Sequence, residues 1–288
     1  MKFLRYGPLG HEKPGVLDAA GQIRDLSHLI DDITPETIAA GRLEAIRATV
    51  NVEKLPVVAG HVRMGACIAR TGNFIAIGLN YAEHATETDA AIPKEPIIFN
   101  KAPSCLSGPF DDVVLPPGST KTDWEIELAF IIGKRAFMVS EDDALDHIAG
   151  YAVCNDVSER EYQLEREGQW VKGKCFPTFG PLGPWLVTPD EVADPQDLSL
   201  WMDVNGVRIQ SAHTHTMIFP IRRLIADVSR YMVLNPGDVI TTGTPPGVGL
   251  GFKPPRYLKA GDTMRLSVEG LGEQTQKVVA WPGTLQAS

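Results

Sequence analysis

Residues 122–132, Thr-Asp-Trp-Glu-Ile-Glu-Leu-Ala-Phe-Ile-Ile, make a short apolar run that stops at Gly133 and Lys134. A run of this length closed by a turn residue predicts a buried β-strand. Successive side chains of a strand point to opposite faces. Trp124, Ile126, Leu128 and Phe130 therefore share one face, and Glu125 and Glu127 the other. Two carboxylates side by side in an apolar strand repel each other and are costly to strip of water. A divalent cation answers both problems, because hard cations such as Mg²⁺ take oxygen ligands. The pattern also leaves open an edge strand whose glutamates face solvent.

The totals set limits around this strand. A chain of 288 residues is one large domain or two unequal ones. Its hydrophobic content of 43% and charged content of 22% are those of a globular protein with a sizeable core. A net charge of −9 argues against a nucleic-acid surface, which needs clustered Lys and Arg. It leaves a small anionic substrate open, since such a ligand responds to local charge. Cys67, Cys105, Cys154 and Cys175 form no Cys-x-x-Cys pair, so neither a zinc site nor a disulfide framework is expected. The first residues lack the apolar core of a signal peptide, and no apolar run reaches the length of a membrane span. A cytoplasmic protein without membrane partners is the expectation.

Residues 1–70 read as a small α+β module, with strands at 2–6, 15–17 and 22–26 and a helix running from Pro35 to about Val50. Residues 71–288 read as the catalytic unit. Phe74–Ile77 is a buried strand, and Asn80 is a candidate N-cap for a helix carrying His84 and Glu87 at i and i+3. A His beside a carboxylate is a general base with an orienting partner; an incidental pair on a solvated helix is the plain alternative. Thr88 to Pro96 suits a mobile cover over a site. Lys101 ends the next strand, either pointing into a site or lying on the surface.

Asp156 ends another buried strand, Ala149–Asp156, after a helix expected around Glu141–His147. It is a candidate N-cap for a helix over Val157–Arg166, or a third oxygen ligand beside Glu125 and Glu127. Trp170–Trp185 reads as an aromatic functional loop. Asn205-Gly206 predicts a hairpin turn. His213 and His215 are spaced like a metal pair, yet no further ligand lies near them in sequence, which favours a solvent-facing strand end or loop. Phe219–Leu234 is an amphipathic helix. The glycine-rich loop after it, Thr242 to Gly249, offers backbone N–H groups to an anion.

Taken together, Gly78-Leu-Asn-Tyr-x-x-His84-x-x-Glu87, Glu125-Ile-Glu127, Asn155-Asp-Val-Ser158, Lys174 with Phe179-Gly-Pro-Leu-Gly-Pro184, and Thr242-Gly-Thr-Pro-Pro-Gly-Val-Gly249 closely resemble the fumarylacetoacetate hydrolase superfamily. The resemblance covers about residues 70–282. It implies an α+β, mostly β fold: a mixed β-roll catalytic domain, usually dimeric, behind the small N-terminal module. It further implies Mg²⁺, with Mn²⁺ as an alternative, on Glu125, Glu127 and Asp156. His84 and Glu87 match the catalytic dyad, on a lid that orders when substrate binds. Lys174 matches the lysine beside the metal, and Arg160 and Gln163 match polar residues after the third ligand. Pro177 and Cys175 depart from a Ser-Phe-Asp-Thr-Phe segment, which alters the adjacent pocket wall.

The chemistry this implies is hydrolysis of a C–C bond in a 2,4-dioxo acid. The cation stabilises charge on the 2-oxo oxygen, and His84 activates water against C4. Lys174 and Thr244 hold the substrate carboxylate, with help from Lys101. The N-terminal module, Lys172-Gly-Lys174 and Phe252-Lys-Pro-Pro-Arg-Tyr257 are similar to bacterial members labelled ureidoglycolate lyases and to the hydrolase of 2,4-didehydro-3-deoxy-L-rhamnonate, which yields pyruvate and L-lactate in sugar-acid catabolism. The second is the expectation, because a complete dyad suits water activation. Oxaloacetate decarboxylation, acylpyruvate hydrolysis and oxo-diacid isomerisation use the same apparatus. A catalytically silent, metal-stabilised binding protein is the alternative from another class.

Overall fold

The computed structural model describes residues 1–284, so the last four positions of the 71–288 unit lie outside the described residues. The Ile126–Ile132 strand is wholly buried and central, not at an edge. It pairs antiparallel with Ile148–Asn155 on one side and with Val239–Thr241 on the other. Burial on both faces explains the unbroken apolar run. The ten-stranded sheet continues through Gly180–Val187, Lys2–Tyr6, Lys13–Leu17 and Ile23–Asp25 in one direction. In the other it continues through Phe74–Gly78 and Ile97–Lys101, and Leu106–Ser107 pairs off the Gly180–Val187 strand. Val239–Thr241 runs parallel to Phe74–Gly78 and antiparallel to Ile126–Ile132, so the sheet is mixed.

A five-stranded sheet, Val207–His213, Ser199–Val204, Thr263–Val268, Gly272–Val279 and Val113–Val114, packs across the middle of the first. Apolar side chains such as Met202, Leu266 and Val278 fill the seam, each at 0% exposure. Buried amides also cross it. Gln274 Nε2 donates to the carbonyls of Val153 and Gly183, and Asn155 Nδ2 donates to Gln276 Oε1. These contacts satisfy polar groups that would otherwise be costly to bury.

The N-terminal residues add strands to the main sheet. Phe3 lies opposite Leu186, and Phe3, Val16, Leu26 and Ile33 belong to the common core. The helix expected from Pro35 to Val50 is two, Pro35–Ala39 and Arg42–Thr49, broken where Gly41 takes φ of 65°. Trp170–Trp185 is not one loop: it holds the short helix Trp170–Lys174 and most of the Gly180–Val187 strand. Only a single 3₁₀ turn, Ala144–His147, stands where a helix was expected around Glu141–His147. The Asn205-Gly206 turn is present, both residues at positive φ, and the amphipathic helix spans Ile221–Tyr231.

Candidate metal and catalytic site

Strand register brings three acids together. Glu127 lies opposite Cys154 and Ile126 opposite Asn155. The next step of the ladder is closed by the Asp156 N–H donating to the Glu125 carbonyl at 2.8 Å. Asp156 therefore sits across from Glu125, while Glu127, two residues along, faces the same way. One carboxylate oxygen from each acid lies within 4.8 Å of the others, and all three residues are at most 4% exposed. The N-cap role open to Asp156 falls to Glu159, whose side chain accepts from Glu161 N–H at the start of Arg160–Leu164.

Buried cations surround the acids. Lys174 Nζ is 2.6 Å from Glu125 and 2.7 Å from Asp156. Arg160 pairs with Glu125 at 2.7 Å and with Asp123 at 2.8 Å, and donates to Gln163. Lys101 Nζ contacts Asp156 at 2.5 Å and the Lys174 carbonyl at 2.7 Å. Lys101 is only 1% exposed, so it is no surface charge, yet it does not line the cavity. Its place is behind Asp156, away from the substrate contact expected of it.

Burial by itself would raise the Glu125 carboxyl, but Lys174 and Arg160 outweigh it and hold the group at about 2. Burial, reinforced by Asp156 and Glu125, pushes the Glu127 carboxyl well above the ordinary carboxylate range. Burial opposes charge on Lys101 and Arg160, and their carboxylate partners more than offset it, so both pKa values are raised.

The charge balance tests whether a cation fits. With every group ionised, Asp123, Glu125, Glu127 and Asp156 facing Lys101, Arg160 and Lys174 leave one negative charge in excess. That excess sits on Glu127, which has no cationic side chain within 4 Å among the described residues and accepts only the Gly243 N–H, at 2.8 Å. Three converging carboxylates short of positive charge suit a hard divalent ion.

The dyad stands over the same cavity. Ala82–Glu87 is helical, and His84 Nδ1 lies 2.8 Å from Glu87 Oε1. Glu87 thereby fixes the ring and leaves Nε2 for a proton. Asn80 does not cap this helix: its amide donates to the carbonyls of Phe219 and Thr242 and accepts from Phe219 N–H. It ties the helix entry to the glycine-rich loop.

That loop does cradle anions, and they are the protein's own. Gly243 N–H donates to Glu127, Gly247 N–H to both oxygens of Glu87, and the N–H groups of Gly249 and Leu250 to Asp123. The Thr244 hydroxyl is engaged as well, donating to the Ile126 carbonyl and accepting from Gln210. Asp123 and Gln210 were missed from sequence. Asp123 had a signal, since it lies two residues before Glu125 and thus on the same strand face; Gln210, arriving from the other sheet, had none.

The cavity they enclose measures about 130 Å³ and is lined by His84, Glu125, Glu127, Arg160, Gln163, Lys174 and Thr244 on its polar side. Cys175 and Pro177 are not among its lining residues, so the departures there do not reshape the wall.

Comparison with known proteins places this arrangement. Residues 73–279 match the family described as fumarylacetoacetate (FAA) hydrolase C-terminal. A protein of Burkholderia cenocepacia (strain HI2424), bearing no name more specific than hydrolase, is 56% identical over 96% of this chain and 98% of its own length. The solved fumarylacetoacetate hydrolase of psychrophilic Exiguobacterium antarcticum is 38% identical, covers 98% of this chain and 100% of its own, and superposes with a TM-score of 0.87. The maleylpyruvate hydrolase of Sphingobium sp. SYK-6, solved with manganese(II) and pyruvate, is 31% identical with a TM-score of 0.80, over 97% of this chain and 99% of its own.

Proposed function

The chain belongs to the fumarylacetoacetate hydrolase family, and from that premise we propose that it is a Mg²⁺- or Mn²⁺-dependent hydrolase cleaving a C–C bond in a 2,4-dioxo acid. The observation that carries this reading is the convergence of Glu125, Glu127 and Asp156, two of which, Glu125 and Glu127, line the same cavity as His84, whose ring is held by Glu87. The Sphingobium neighbour's manganese and pyruvate support it by analogy.

A divalent ion held by the three acids would supply Lewis-acid stabilisation for negative charge on the 2-oxo oxygen. His84 Nε2 takes a proton from water, steadied through Nδ1 by Glu87, and the water oxygen attacks C4. The C3–C4 bond then breaks with its electron pair moving to C3, C4 leaves as a carboxylic acid, and His84 returns the proton to C3. Lys174 and Arg160 face the carboxylate end of the substrate, Gln163 adds a polar contact, and the Thr244 loop closes that end. Lys101 positions Asp156.

The far end of the substrate is uncharged on this reading. The apolar lining of the cavity includes Ile77, Leu79, Phe99, Leu164, Trp170 and Leu250. The Arg and Lys side chains of its lining are Arg160 and Lys174, and on this reading both serve the first carboxylate. A second carboxylate would lose its hydration there without a partner. The small methyl-ended tail of 2,4-didehydro-3-deoxy-L-rhamnonate fits, giving pyruvate and L-lactate, whereas oxo-diacid isomerisation is disfavoured. Ureidoglycolate cleavage makes no use of the dyad. The test measures pyruvate release in Mg²⁺ from neutral-tailed and carboxylate-tailed 2,4-dioxo acids side by side. A kcat/KM at least ten-fold higher for neutral tails is expected; preference for the diacid would refute the assignment.

A further inference from the structure

We propose a second metal site, at Asp197, His213 and His215, that takes a borderline transition-metal dication such as Zn²⁺, Ni²⁺ or Cu²⁺. It lies on the Ser199–Val204/Val207–His213 ribbon, outside the cavity, and does not depend on the catalytic reading. The two histidines look unsupported in sequence because their third partner comes from the other side of a hairpin. Ser199 pairs with His213. Just beyond that end of the ribbon, Asp197 precedes the first strand and His215 lies in the 3₁₀ turn Thr214–Thr216 that follows the second, which brings them alongside each other.

The backbone beneath them is pinned. Thr214 N–H donates to the Leu198 carbonyl at 2.8 Å, Leu198 N–H donates to Thr214 Oγ1 at 2.9 Å, and Gln196 Nε2 donates to the Thr214 carbonyl at 2.6 Å.

Distances separate a metal site from a hydrogen-bonded pair. Asp197 Oδ1 is 3.5 Å from His213 Nε2 and 3.6 Å from His215 Nδ1. A charge-assisted hydrogen bond would draw such atoms to about 2.8 Å. Ligands at about 2.1 Å from a tetrahedral ion stand about 3.4 Å apart. The three donor atoms all lie within 4.8 Å of one another, and the imidazole rings are tilted by 34° with centroids 4.2 Å apart. Among the described residues neither nitrogen of His213 has a hydrogen-bond partner. Two imidazoles and one carboxylate select borderline ions, while the all-oxygen set of Glu125, Glu127 and Asp156 suits Mg²⁺ or Mn²⁺. With the side chains of His215 and Asp197 59% and 69% exposed, an ion enters directly from solvent and keeps an open coordination position.

The experiment is electron paramagnetic resonance of the untagged protein with one equivalent of Cu²⁺ and excess Mg²⁺. Wild type should show hyperfine coupling to two imidazole nitrogens. His215→Ala should lose that pattern and Asp197→Ala should need more Cu²⁺ to develop it, both with Mg²⁺-supported turnover unchanged, and His84→Ala should keep it. A spectrum without nitrogen coupling in wild type, or one surviving intact in His215→Ala, would overturn the proposal.

Discussion

Glu127 carries the excess charge of the site, and its substitution separates fold from function. Burial and two like-charged neighbours push its carboxyl upward. Because the folded-state pKa is raised, the metal-free native state binds more protons than the unfolded chain, and its stability falls as pH rises through the Glu127 value. A cation bound there would displace that proton, so we expect metal affinity to rise with pH and binding to release protons. Glu125 behaves oppositely. Held at about 2 by Lys174 and Arg160 against its burial, it contributes stability that is lost as pH falls from the ordinary carboxylate range toward 2. Glu127→Gln copies the protonated form. We expect the metal-free variant to melt at or above the temperature of metal-free wild type near neutral pH, and to gain nothing on adding Mg²⁺. Thermal melts at several pH values, with and without Mg²⁺, read this out; a large loss of metal-free stability would count against it.

At the level of elements, the loop from Thr242 to Leu250 is what makes separate carboxylates one site. Gly247 is constrained twice over: φ is 104°, and a Cβ there would lie 2.0 Å from the Ile209 carbonyl oxygen. Gly247→Ala should therefore shift the loop off Glu87 and destabilise the protein by about 1–3 kcal/mol. Turnover should fall by an order of magnitude or more, while Mg²⁺ still raises the melting temperature. Urea denaturation and steady-state kinetics check both, and unchanged kcat would dissociate the loop from the dyad. What sequence could and could not disclose follows the same division. Glu125 and Glu127 were legible because a strand's period of two needs no tertiary information, and Lys174 and Asp156 stood in recognisable motifs. Gly180–Val187 was hidden because two glycines and two prolines argue against a strand; pairing with Lys2–Tyr6 and Ile148–Asn155 overrides that preference. The burial of Lys101 and the capture of Asn80 by Phe219 and Thr242 depend on residues remote in sequence, and local pattern is silent there.

Across the whole molecule, residues 1–70 are bound into the same sheet as the site. Lys2–Tyr6 covers the edge of Gly180–Val187, and Phe3, Val16 and Leu26 fill the shared core. Deleting residues 1–70 would leave an open strand edge and uncovered apolar surface. The 71–288 fragment should lack a cooperative thermal transition by circular dichroism; a sharp, reversible melt would show that it folds unaided. No described helix is long and apolar enough to cross a membrane. On the reading proposed above, the two sheets, the dyad-bearing helix and the glycine-rich loop together place three acids for a cation beneath His84. The most direct test strips the protein of metal with a chelator and follows pyruvate release from a neutral-tailed 2,4-dioxo acid as Mg²⁺ or Mn²⁺ is returned. Turnover should vanish on stripping, return with one equivalent bound at the acids, and fail to return in Glu125→Ala. Undiminished turnover by the stripped protein, or full recovery in Glu125→Ala, would contradict the account.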